Sequence, residues 1–220
     1  MYMKRILNIL LMLMIAIGSS AQTAKQVLDK TAAALSNKGG VTANFTVTGK
    51  NIGSTSGRIS VKGRMFQATT PQAIVWFNGK TQWTYMKSQQ EVNISNPTEA
   101  QLQAINPYNF INIYKKGYSY TMKTVAAGYE VHLKATDKKR SIQEMYVTVN
   151  KTTYAPSQVK MRQGTKWTTI KISQLKKANI SNASFTFPAK DYHNAEVVDL
   201  KKKKKKDNQW IKMNRIELYK

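Results

Sequence analysis

The chain has 220 residues, no cysteine and a formal net charge of +24, from 35 Lys and Arg against 11 Asp and Glu. Without cysteine there is no disulfide framework, no lipid attached through an N-terminal cysteine, no thiol nucleophile and no thiolate-ligated metal, so stability must come from a packed interior. The excess of positive charge points to anionic surfaces or acidic partners.

Residues 1–21 read as a removable signal peptide. Lys4 and Arg5 open it, residues 6–17 are apolar apart from Asn8, and Ser19, Ser20 and Ala21 supply small residues for cleavage. The apolar run is shorter than the roughly 20 residues a spanning helix needs. Residues 22–200 are then expected to form one exported domain, which keeps 24 basic against 9 acidic side chains.

Within that domain, residues 24–35 predict a short amphipathic helix, with Val27, Leu28, Thr31 and Leu35 on one face. From Val41 the apolar period becomes two, and strands are expected over 41–50, 56–62, 65–69, 73–77, 81–86 and 91–94. Residues 97–116 interrupt the pattern. Thr98 and Asn106 suit helix N-caps, Pro107 suits a first helical position, and Leu102, Ile105, Phe110, Ile113 and Tyr114 supply apolar faces, so two short helices are expected there. Strands resume over 118–123, 129–135, 142–149, 157–162 and 167–175. The expected class is therefore mainly β with α, an antiparallel sheet of about eleven strands.

A two-residue turn at Asn78-Gly79 would pair Trp76 with Thr81 and Ile74 with Trp83. Ile74, Trp76, Trp83 and Tyr85 would then share one strongly aromatic face, as either ordinary core or the lining of a hydrophobic cavity. Catalytic chemistry is hard to find. His132 and His193 stand apart with no carboxylate at ligand spacing, the acids are scattered, and no phosphate-binding glycine loop occurs, so no enzyme, cofactor or metal centre is expected. The scatter of the lysines and the export signal argue against nucleic acid as a partner. Residues 201–206 are six consecutive lysines, and residues 201–220 read as a disordered tail or an out-of-frame extension. A run of this kind could also touch an anionic membrane surface transiently.

The order of signal, short helix, long antiparallel sheet and helical interruption resembles the periplasmic outer-membrane lipoprotein carrier family, LolA. Particular residues carry the likeness: Ala43-Asn44-Phe45-Thr46, the Gly57–Phe66 strand pair, Pro71, the hairpin Asn78-Gly79-Lys80-Thr81-Gln82-Trp83-Thr84-Tyr85, and the closing Phe185-Thr186-Phe187-Pro188. The resemblance implies an incomplete β-barrel with a short helical lid over an apolar cavity that receives lipoprotein acyl chains. It further implies a monomeric carrier in the periplasm, loaded by an inner-membrane release complex and unloaded at an outer-membrane acceptor. Other readings stay open: a carrier of a different lipid or polyene pigment on the same fold, or a binding and assembly module of the cell envelope.

Under this reading the cavity is expected to draw on Phe45, Val47, Ile59, Val61, Phe66, Ile74, Trp76, Trp83, Tyr85, Leu102, Ile105, Phe110, Ile113 and Tyr114. In better-known relatives a strand arginine helps set the closed state of the lid. Arg64, with Lys62 second, occupies the corresponding region, although the family's Arg-Pro step is absent here.

Overall fold

The structure, a computed structural model, describes residues 22–50, 53–99, 101–102 and 113–201. The expected signal peptide, Ile105, Phe110, Pro107 and nearly all of the tail lie outside the described residues.

Helix α1 (Ala24–Leu35) opens the described chain. Thr23 caps it: its hydroxyl accepts from the Gln26 N–H while the Gln26 side chain accepts from the Thr23 N–H, a reciprocal capping box. Val27, Leu28, Thr31 and Leu35 are its buried face, as the spacing predicts.

Twelve strands follow: β1 (Val41–Gly49), β2 (Gly53–Lys62), β3 (Met65–Thr69), β4 (Ala73–Phe77), β5 (Gln82–Met86), β6 (Glu91–Ser95), β7 (Tyr118–Val125), β8 (Gly128–Ala135), β9 (Glu144–Val149), β10 (Pro156–Gln163), β11 (Lys166–Lys177) and β12 (Glu196–Asp199). They form one open sheet in the order β12-β6-β5-β4-β3-β2-β1-β11-β10-β9-β8-β7. All neighbours are antiparallel except β12, which runs parallel to β6. This twelfth strand is not expected from the sequence, because four residues without a long alternation leave little period to read.

Strands β6 and β7 are consecutive in sequence but lie at opposite ends of the sheet, apart from the short β12. Laid flat, twelve strands at about 4.8 Å spacing would span on the order of 50 Å. Leu102 joins the apolar cluster over β1 to β4, whereas Ile113 and Tyr114 join the cluster over β7 to β11. Phe45, Ile172 and Leu175 touch both clusters, so the two halves meet across the β1–β11 pair. The register of that pair shifts between Thr42 and Asn44, and Gln174 on the bulged strand has φ of 51°. A bulge bends and twists its strand, which curls the sheet about this seam.

The hairpin of β4 and β5 departs from the expected two-residue turn. Trp76 pairs with Trp83 and Ile74 with Tyr85, leaving residues 78–81 as a four-residue loop. The Asn78 side-chain oxygen accepts from the N–H groups of Lys80 and Thr81 at 3.1 and 2.9 Å, drawing both residues into the loop, while Gly79 takes φ of 95°. The register moves by two residues, an even number, so the grouping of side chains by face is unchanged.

Candidate functional site

Strand pairing sorts the side chains into two faces. On the concave face, Val41, Ala43 and Phe45 of β1 lie beside Ile59 and Val61 of β2, then Phe66 and Ala68 of β3, then Val75 and Phe77 of β4. On the other side of β1 the same face continues through Ile170 and Ile172 of β11 to Val159 of β10 and Val147 of β9. A pocket opens in this surface, lined by Leu35, Val41, Ala43, Phe45, Ile59, Val61, Pro156, Ile170, Ile172 and Leu175. Among the described residues no polar side chain lines it. Its volume of about 30 Å³ holds roughly two water-sized groups.

The expected cavity residues therefore divide. Phe45, Ile59 and Val61 line this pocket, and Val47 packs against the neighbouring cluster on the same face. Phe66 and Leu102 are buried together over β1 to β4, and Ile113 and Tyr114 are buried over β7 to β11. Ile105 and Phe110 lie outside the described residues. Ile74, Trp76, Trp83 and Tyr85 point the other way. Trp76 pairs with Gln67, whose face runs on through Ser60 to Thr42, opposite the pocket.

That aromatic face is roofed by the C-terminal segment. After β11 the chain makes two 3-10 turns, Asn182–Phe185 and Ala189–Asp191, before β12. Trp76 meets the Phe187 and Tyr192 rings edge-on at centroid distances of 5.4 and 5.7 Å, and Tyr85 meets Tyr192 at 4.6 Å. Phe185 is fully buried. The aromatic alternation on β4 and β5 thus belongs to a second core on the convex side. Alternation reveals that two faces exist but not which one is inside a barrel.

Several lining residues are absent from the sequence expectation: Leu35, Val41, Ala43, Pro156, Ile170, Ile172 and Leu175. Their apolar alternation was readable. What was missing is the pairing of β1 with β11, strands more than a hundred residues apart in sequence.

Arg64 and Lys62 do different things. Arg64 ion-pairs with Glu99 in the helical turn that starts at Thr98, and both side chains are mostly exposed. The Thr98 carbonyl accepts from the Leu102 N–H, so this pair touches the turn that carries Leu102. Lys62 instead donates to the Ile180 carbonyl at 2.8 Å and tethers the C-terminal segment. A more buried connection joins α1 to Tyr114, shortly before β7. The Tyr114 hydroxyl donates to Asp29 Oδ1 at 2.6 Å, Lys25 holds Asp29 Oδ2 at 2.8 Å, and the Tyr120 hydroxyl donates to the Tyr114 carbonyl. Burial, reinforced by the Asp29 carboxylate, pushes the Tyr114 phenol well up, while hydrogen bonds from Lys25 and then Tyr114 hold the Asp29 carboxyl below its ordinary range.

His132 is not isolated. On the convex face its Nε2 lies 2.9 Å from Glu144 Oε1, and its ring stacks on Tyr146 at 4.3 Å. Glu144 also accepts from the Tyr146 hydroxyl and from Arg162 Nε, each at 3.0 Å. Burial alone would raise the Glu144 carboxyl, but the hydrogen bonds from Tyr146, Arg162 and His132 outweigh it and leave it lowered. The partner is invisible to sequence spacing because Lys134–Glu144 register, not chain proximity, brings the acid beside the histidine. Among the described residues no group of three or more His, Asp or Glu could hold a metal ion.

An open antiparallel sheet curled round an apolar interior and crossed by a helix defines a half-barrel of the incomplete type. The chain belongs to the family described as outer membrane lipoprotein carrier protein LolA, whose model matches residues 14–165. Among solved structures, an uncharacterized conserved protein from Thermus thermophilus is 16% identical, with a TM-score of 0.53 over 80% of this chain and 98% of that one. A LolA superfamily protein from Nitrosomonas europaea is 12% identical, with a TM-score of 0.43 over 76% and 99% of the two chains. A putative outer membrane lipoprotein-sorting protein domain from Vibrio parahaemolyticus is 13% identical, with a TM-score of 0.43 over 74% and 96%. No curated protein matches the sequence.

Proposed function

We propose that the protein is a non-enzymatic periplasmic carrier that shields the acyl chains of lipoproteins on their way from the inner to the outer membrane. The observation that carries this reading is the lining of the concave pocket between α1, β1, β2 and β11, which is apolar throughout among the described residues. Membership of the LolA family supports it. Each methylene removed from water is worth about 0.8 kcal/mol, so an acyl chain needs a continuous apolar enclosure to leave a membrane.

At about 30 Å³ the pocket is too small for such a chain, so loading requires the walls to part. Opening would carry α1 and Tyr114 off the sheet together, because the Tyr114–Asp29 hydrogen bond ties them to each other. An inner-membrane release complex would load the carrier and an outer-membrane acceptor would empty it. Native mass spectrometry of the purified protein with a triacylated lipopeptide and with its deacylated form tests the reading. One-to-one binding of the acylated form alone is expected. Binding of neither form would reject lipoprotein as cargo and turn attention to other lipids or pigments.

A further inference from the structure

At one end of the curled sheet, where the loop after β8 faces the turn after β10, an open pocket of about 360 Å³ is lined by Lys134, Ala135, Lys138, Gln143, Arg162 and Gly164. Three of these side chains are cationic and none is a carboxylate. It shares no lining residue with the apolar pocket.

The nearby acids are already committed. Glu144 is taken by His132, Tyr146 and Arg162. Asp137, in the loop itself, accepts from the Lys139 N–H at 2.8 Å through Oδ1. Among the described residues neither Lys134 nor Lys138 has a carboxylate partner. Arg162 is held in place by Glu144 at 3.0 Å and by the Gly164 carbonyl at 3.2 Å. Those bonds use two of the five guanidinium N–H donors. Among the described residues Gln143 makes no side-chain hydrogen bond, and its Oε1 is buried without a partner.

A fixed guanidinium, two ammonium groups without carboxylate partners on flexible stems and the Nε2 amide of Gln143, its Oε1 being an acceptor that gives an anion nothing, together offer many donors to one anion with several oxygens. We propose that this pocket binds a phosphate group, carried either by a phospholipid headgroup or by a free phosphate. A fixed Arg fork sets the orientation, and the lysines close over the remaining oxygens. The site lies apart from the apolar pocket, so both can be filled at once and each can fail independently of the other.

The test keeps the whole chain, because residues 201–206 add six lysines that attract anions in every variant alike. The probes are inorganic phosphate, followed by titration calorimetry, and phosphatidylcholine vesicles with and without phosphatidylglycerol, followed by co-sedimentation. The pocket variant is Lys134→Gln with Lys138→Gln. The charge-matched control is Lys176→Gln with Lys177→Gln, exposed residues at the end of β11. Lys138→Gln alone, on an exposed loop, guards against misfolding of the pair.

The pocket pair is expected to weaken binding about thirtyfold, from roughly 1 kcal/mol for each lysine near an anionic group, and the control pair by no more than about threefold. Loss of both phosphate and phosphatidylglycerol vesicles in the pocket pair supports the site and identifies a headgroup as its source. Loss of phosphate binding with vesicle binding absent throughout supports it with free phosphate as ligand. Equal weakening by the two pairs, or no saturable phosphate binding by the unaltered protein, overturns it.

Discussion

Truncating Trp76 separates a convex-side core from a cavity wall. Trp76 is 3% exposed, and its contacts are the Phe187 and Tyr192 rings of the C-terminal segment. Replacing a buried aromatic by Ala costs about 3–5 kcal/mol, depending on how far the surroundings collapse. The 3-10 turns above Trp76 rest on a sheet and can settle inward, so Trp76→Ala is expected near the lower figure, about 3 kcal/mol. For a domain of this size that is a fall in melting temperature of about 6–12 °C. Urea denaturation measures the loss. Hydrogen exchange should report faster exchange across residues 178–199, with β9 and β10 unchanged. Measured well below the new midpoint, lipopeptide affinity should stay within about a factor of two. A large loss of affinity with undisturbed protection of residues 178–199 would instead put Trp76 in the wall of the ligand site.

Three further outcomes follow from the same geometry. Tyr114→Phe removes the donor to Asp29 but keeps the ring; because Asp29 is partly solvated and retains Lys25, the expected loss is about 1 kcal/mol by urea denaturation, and an unchanged midpoint would show the bond to be idle. Asp29 and Glu144 both have lowered carboxyl values, so their contribution is complete above the ordinary carboxylate range and disappears as pH falls through the folded-state values; Glu144→Gln should therefore flatten the acid limb of a stability-versus-pH curve, and an identical limb would contradict the assignment. Gly57→Ala should destabilise by about 3 kcal/mol, since a Cβ there would lie 2.1 Å from the Thr69 carbonyl oxygen and 2.9 Å from the Phe45 ring; a neutral effect in thermal unfolding would mean that β2 and β3 are not so closely apposed.

Much of the fold was legible because local period carries it. The bounds of α1 follow from Val27, Leu28, Thr31 and Leu35, and β3 and β4 follow from alternation between turn residues. Long-range pairing was not legible in the same way. Nothing near Val41 announces that its neighbours include residue 177, so the pocket wall formed by Ile170, Ile172 and Leu175 could not be assembled from spacing alone. The aromatic hairpin shows the complementary difficulty. Its two faces could be read correctly, but the choice of inner face depended on Phe185, Phe187 and Tyr192 folding back from about a hundred residues downstream. His132 and Glu144 met for the same reason, through strand register. The short parallel β12 offered too few residues for a period and is held instead by pairing to β6, with the Glu196 N–H donating to the Gln90 carbonyl at 2.8 Å.

On the proposed function, acyl chains enter the concave face between α1 and the β1–β2–β11 surface. Methyl NMR of the protein bound to a lipopeptide bearing a nitroxide at one acyl terminus tests it directly, since the radical broadens nearby methyl signals. Broadening is expected at Val41, Ile59, Val61, Ile170 and Ile172, with Ile74, Val92 and Ile94 on the convex face left sharp. Broadening of the convex set with the concave set sharp would contradict it.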